Sequence, residues 1–191
     1  MSYMNPVIFR EVESELQSLG MKLELADPGS LPEGLSPERI ETWADEDTLY
    51  IYVPPRAQMI DALWHGARAV GRLKGFPPDI EDIRAQALLD SWAYELCRST
   101  TSSQRAMLQA GRIRKRISNS DLDGEARVKA AFAIWSVLTV LANRDRDVYL
   151  QWLETADPGI DICLQQIIRD WGFTSPATPE DAAGMLSRSS S

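Results

Sequence analysis

The chain has 191 residues, 44% of them apolar and 25% charged, with a net charge of −8, which fits one soluble globular domain able to bury a proper hydrophobic core. Two cysteines, Cys97 and Cys163, allow at most one bridge and so exclude a disulfide framework. The opening Met-Ser-Tyr-Met-Asn-Pro lacks the basic-then-apolar order of a secretory signal, so the expectation is a cytoplasmic chain with reduced thiols.

Four Xaa-Pro steps, Asn5-Pro6, Ser36-Pro37, Asp157-Pro158 and Thr178-Pro179, place a capping oxygen ahead of a proline at the first helical position. They predict helices starting at each. The first runs over 6–19 with Ile8, Val12, Leu16 and Leu19 on one face, and Gly20 stops it. Residues 21–26 alternate apolar with Lys22 and Glu24 and read as a half-buried strand. After a Pro- and Gly-rich loop, 36–44 reads as a short acidic helix. Residues 48–53, Thr-Leu-Tyr-Ile-Tyr-Val, form the strongest strand signal in the chain. Two strands alone make no stable sheet, so they pair with each other, or with a third, against helices.

Pro54-Pro55 opens a helix that ends at Lys74, with Ile60, Leu63, Trp64, Ala67 and Val70 as its buried stripe. Asp61, His65, Arg68 and Arg72 share the opposite side, which predicts a solvated His65. Helix 78–98 carries two apolar stripes, one with Ile80, Ile83, Ala87 and Tyr94 and one with Ala85, Leu89, Trp92 and Leu96, so it lies between two layers. Ser102 or Ser103 caps a helix to Ile117 whose apolar edge is Ala106, Ala110, Ile113 and Ile117. The stretch 130–142 then has no charge at all. A helix apolar on every side must be covered on every side, and this run is too short for a bilayer, which needs roughly 20 apolar residues. It is the expected core post. Helices over 146–155 and 158–171 follow, and from Thr174 the Ser, Thr, Pro and Ala content predicts a flexible tail, apart from a helical turn at 179–186.

The pattern predicts an α+β fold, predominantly α-helical. A helical core surrounds helix 125–142, a small two- or three-stranded sheet sits beside it, 1–173 form one globular domain, and 174–191 form the tail.

The order of elements over 19–97 resembles the ImmA/IrrE-type zinc metallopeptidases. The resemblance rests on Leu19-Gly20-Met21-Lys22-Leu23-Glu24-Leu25, Leu31-Pro32-Glu33-Gly34-Leu35, the strand 49–53 and the helix holding Ala62-Leu63-Trp64-His65. It implies a strand pair leading into a helix that bears His-Glu-x-x-His, with a third zinc ligand on a later helix. This chain departs from that motif. With His65 as first ligand, Gly66 stands in place of the general base and Ala69 in place of the second histidine; with His65 as second, Asp61 and Ala62 take those places. The resemblance therefore implies a scaffold without its peptidase chemistry. Asp61 and His65 could still meet Glu81, Asp82 or Asp90 around a metal, but a solvated His65 is the favoured reading, and no metal or cofactor is expected.

Charge marks the remaining candidate. Between Glu95 and Asp121 there is no acidic residue, while Arg98, Arg105, Arg112, Arg114, Lys115 and Arg116 contribute +6. Arg105, Arg112 and Arg116 line one edge of helix 103–117, with Arg114 and Lys115 beside them, and these five are the candidate binding residues. The leading function is a non-catalytic binding or regulatory protein acting through a protein partner, without a membrane and with homo-oligomer formation left open. The alternatives are a nucleic-acid-binding accessory protein using this helix, and a hydrolase with an unrecognised site near Asp61 and His65.

Overall fold

The two sequence-evident strands do not complete the sheet by themselves. In the computed structural model, which describes residues 7–77, 82–101 and 103–188, β1 (Lys22–Ala26) and β3 (Thr48–Tyr52) lie parallel, and β2 (Glu41–Ala44) runs antiparallel along the far side of β3. The third strand takes the place of the short helix expected over 36–44. Ser36 Oγ accepts the Glu38 N–H at 3.2 Å and makes a turn of the Ser-Pro step instead of a helix cap. Trp43 then stacks on its cross-strand partner Tyr50 with ring centroids 5.3 Å apart. The open edge of β3 and this aromatic pair outweigh local helix punctuation.

The helices follow the periodicity more closely. A 3-10 turn at Val7–Phe9 leads into α1 (Arg10–Ser18), whose Val12 and Leu16 are fully buried; Asn5-Pro6 lies outside the described residues. α2 (Met59–Leu73) begins four residues after Pro55. α3 (Ile83–Thr101) lies against α1, α2, α4 (Gln104–Asn119), α5 (Gly124–Leu138) and α8 (Pro179–Arg188), which accounts for its two apolar stripes. Ile80 falls outside the described residues. α4 starts after Ser103, whose Oγ donates to the Val140 carbonyl at 2.8 Å rather than capping the helix. α6 (Asn143–Ala156) and α7 (Pro158–Trp171) meet at Asp157, whose carboxylate accepts the Gly159 and Ile160 N–H groups as the Asp-Pro step leads one to expect.

The core is built on α5. Asp123 caps it by accepting the Ala126 N–H at 2.7 Å, and Ile134, Trp135, Val137 and Leu138 are at most 1% exposed between α3 and α7. The Trp135 ring meets Trp171 edge-on at 4.9 Å and its Nε1 donates to the Gly172 carbonyl. The fold is α+β and mostly helical, with its core around this helix. Cover is incomplete, however: Ala126, Ala130, Phe132 and Ala133 are half-buried.

Within the segment expected as a tail, the helical turn read over 179–186 is α8, and it packs against the rest of the chain. Thr178 Oγ1 accepts the Asp181 N–H while Asp181 Oδ2 accepts that of Thr178, a reciprocal cap that starts α8. Ala182 and Met185 are buried, and the Met185 carbonyl accepts the Trp171 indole N–H at 2.9 Å. Ser175 joins Ser91 and Thr139 in a chain of hydroxyls tying this segment to α3. Among the described residues no helix is long and apolar enough to cross a membrane.

Candidate functional site

The polar side of α2 is partly covered: Asp61, His65 and Arg68 are half-buried, while Arg72 is exposed. α3 and α4 fold across it, and four charged residues meet there around the Trp64 indole. Arg68 Nε lies 2.7 Å from Asp90 Oδ1, and Arg105 Nε lies 3.2 Å from Asp61 Oδ1. The two guanidinium carbons sit 4.8 and 4.7 Å from the centroid of the Trp64 ring, which also stacks on Tyr94 at 5.8 Å. Arg105 is only 6% exposed, so it is an internal residue and not part of the exposed binding edge on which the sequence places it. Its partner is Asp61, the third residue of α2.

These pairs lie within ion-pair range but out of hydrogen-bond alignment. Among the described residues, Asp61 Oδ1, Asp90 Oδ1, Arg68 Nε, Trp64 Nε1, and Nε and Nη1 of Arg105 have no hydrogen-bond partner. Burial pushes the Asp90 carboxyl up to about 6, outweighing the pull of Arg68, Arg72 and Arg105 in the other direction. His65 meets the edge of Trp64 at 5.2 Å and is half-buried, not solvated; desolvation, with Arg68 and Arg105 nearby, lowers its pKa. Cys97 is buried and free, its thiol pushed up to about 12 by burial, the wrong direction for an activated nucleophile.

The sequence missed Tyr94 and Trp64 as members of this cluster, since both read simply as apolar stripe. Their signal was present only in the i, i+4, i+7 spacing of Asp61, His65 and Arg68 on one face, which shows that a polar side exists but not that two helices cover it.

The residues do not fit the zinc site of the metallopeptidase pattern. A Cβ added at Gly66 would meet Ile51 Cδ1 at 2.7 Å, so the position after His65 faces the sheet, where no general base could serve. Ala69 is buried, and so is Ala62. Asp61 is engaged by Arg105 and, at 3.9 Å, by Arg112. Asp90 is engaged by Arg68 and Asp82 by Arg84, while Glu81 lies outside the described residues. Among the described residues no group of three His, Cys, Asp or Glu side chains is placed to hold a metal ion.

The outer face of α4 is different in kind. Arg112, Arg114, Lys115 and Arg116 are exposed on it. Arg114 lies over the Trp152 ring at 4.7 Å, and Arg112 reaches toward Asp61 only at 3.9 Å. Among the described residues Lys115 and Arg116 form no ion pair. Met107 and Leu108, 54% and 39% exposed, interleave with these cations. Next to this face, a cavity of about 450 Å³ separates α4 from α5, floored by Ile113, Ile117, Leu122 and Ala126 and edged by Arg116 and Lys129. A second, of about 530 Å³, adjoins it at Lys129 and Ala133 and reaches Asp90.

No family model, no characterised protein and no solved structure matches the chain.

Proposed function

We propose that this is a non-catalytic binding protein of regulatory type that acts through a protein partner, and that the outer face of α4 is where the partner docks. One observation carries the reading: an acidic protein exposes Lys115 and Arg116, which form no ion pair among the described residues, beside Arg112, which reaches Asp61 only at 3.9 Å, in a surface that also exposes Met107 and Leu108. Protein interfaces combine exposed Met with Arg in this way. The strand-to-helix order over 19–97 is consistent with a metallopeptidase-like scaffold that has lost its zinc ligands, the engaged Asp61 and the sheet-facing Gly66 standing where catalytic groups would be. Stoichiometric zinc in the purified protein together with casein cleavage would overturn that part.

The second reading is nucleic acid on the same helix. Protein is favoured because Arg105 is buried, Arg114 already lies on Trp152, and α4 itself has no aromatic side chain on which a base could stack. Reversing Arg112, Lys115 and Arg116 to Glu separates the outcomes. In a native extract the unaltered chain should elute in an assembly that survives nuclease, and the reversed chain should elute alone with an unchanged melting temperature. Identical elution of the two would remove α4 from the account, and nuclease-sensitive elution would replace protein by nucleic acid.

A further inference from the structure

We infer that the partner docked on α4 is a second copy of this chain, with α4 of each copy lying across α6 of the other about a two-fold axis. This rests on the reading of α4 as a protein-docking face and names what docks. α4 has no acidic residue, and of its four exposed cations Arg114, Lys115 and Arg116 form no ion pair among the described residues. The complement is on the same chain. α6 exposes Asp145, Asp147 and Glu154 against one exposed cation, Arg144, and none of these forms an ion pair among the described residues. Each helix also exposes aliphatic surface beside its charges, Met107 and Leu108 on α4 and Val148 on α6.

Closure of the contact singles out α6 among the acidic stretches of the chain. A two-fold interface uses the same patch on both copies, so the basic and acidic halves must lie side by side on one copy. α4 and α6 do: Tyr149 Oη donates to the Ala110 carbonyl at 3.3 Å, and Arg114 lies over the Trp152 ring at 4.7 Å. The two contacts advance together along both helices, which therefore run in the same direction where they meet. With Arg114 level with Trp152, Lys115 stands six residues past the level of Asp147, about 9 Å of helix rise, and the two do not pair within one copy. A two-fold axis through the middle of the helix pair reverses that offset. It lays 112–116 of one copy over the Asp145 and Asp147 end of α6 in the other, and brings Met107 and Leu108 to the Trp152 end. Opposite charges then meet twice, once on each side of the axis, while a juxtaposition of α4 with α4 would set like charges together.

The test is sedimentation of the full chain across a range of concentrations, with charge reversal at one position on each helix. The unaltered chain should show a monomer–dimer equilibrium. Lys115→Glu alone and Asp147→Lys alone each oppose like charges on both sides of the axis and should weaken dimerisation at least about tenfold. An equal mixture of the two variants should restore it, because every α4–α6 contact of the mixed dimer again joins opposite charges. Both positions are exposed, and circular dichroism confirms that the variants are folded. A dimer that either substitution leaves unchanged overturns the α4–α6 contact, and so does a dimer that both weaken and the mixture fails to restore. A chain that is monomeric at every concentration overturns the second copy as partner. If that monomer still elutes from extract in a nuclease-resistant assembly that is lost on reversing Arg112, Lys115 and Arg116, α4 stands as the docking face for a different protein.

Discussion

At the scale of single residues, the chemistry concentrates where Asp90 meets Arg68. A buried pair of this kind is weak grounds for stability, because removing two charges from water costs nearly as much as their attraction returns. The raised Asp90 pKa sets the sign of the expected pH dependence. A carboxyl raised from 3.8 to about 6 binds its proton more tightly in the folded than in the unfolded chain. Stability from Asp90 is therefore complete below about pH 4, declines as pH rises through 6, and is level above, a loss of about 3 kcal/mol over the window. His65 acts in the opposite sense, its lowered pKa costing stability as pH falls below 6.5. Urea denaturation of Asp90→Asn beside the unaltered chain isolates the first term. The unaltered chain should lose stability relative to the variant between pH 4 and 7; parallel curves would mean that Asp90 is not held as described.

At the scale of elements, glycines separate packing from propensity. Gly111 sits within α4 with nothing within 4 Å of an added Cβ, so Gly111→Ala should stabilise the protein by about 1 kcal/mol through helix propensity alone. Gly71 has the same propensity to gain, but a Cβ there would lie 2.5 Å from Leu89 Cδ1 and 3.1 Å from the Trp92 ring. Overpacking of about 1–3 kcal/mol makes Gly71→Ala net destabilising, and opposite shifts of the two melting temperatures check the α2–α3 contact. Deleting 174–191 probes α8 in the same way. It removes the buried Ala182 and Met185 and leaves the Trp171 indole N–H without its carbonyl, for an expected loss of about 2–4 kcal/mol in urea unfolding. A deletion without effect would return the segment to the status of a tail.

The contrast with the sequence reading is sharpest here. Helix spans, the Asp157 and Thr178 caps and the core role of Ile134 and Leu138 were legible because they depend on local punctuation and a 3.6-residue period. β2 was not, because Thr42 and Trp43 become a strand only beside Thr48–Tyr52. The helical turn of α8 was legible but its docking was not, because its polar composition hides two contacts, at Ala182 and Met185, that matter only once Trp171 lies under them. The burial of Arg105 was illegible for the same reason: its partner Asp61 is forty-four residues away on another helix.

At the scale of the whole molecule, an acidic α+β protein is folded around α5, uses one set of charges internally and leaves another set outward. The Arg68–Asp90 and Arg105–Asp61 pairs join α2 to α3 and α4, so α4 turns one buried arginine inward while Arg112, Arg114, Lys115 and Arg116 are exposed on its outer face, the proposed docking surface. The division of labour on a single basic helix is the central claim. It is tested most directly by placing a photoreactive residue at Leu108 on that face and, as a control, at Val7, which is 81% exposed on the α1 side. Irradiation in the native host followed by mass spectrometry should give adducts from Leu108, not from Val7, to acidic protein segments, and Arg112→Glu with Arg116→Glu should abolish them. Adducts of equal yield from both positions, or adducts to nucleic acid, would contradict the account.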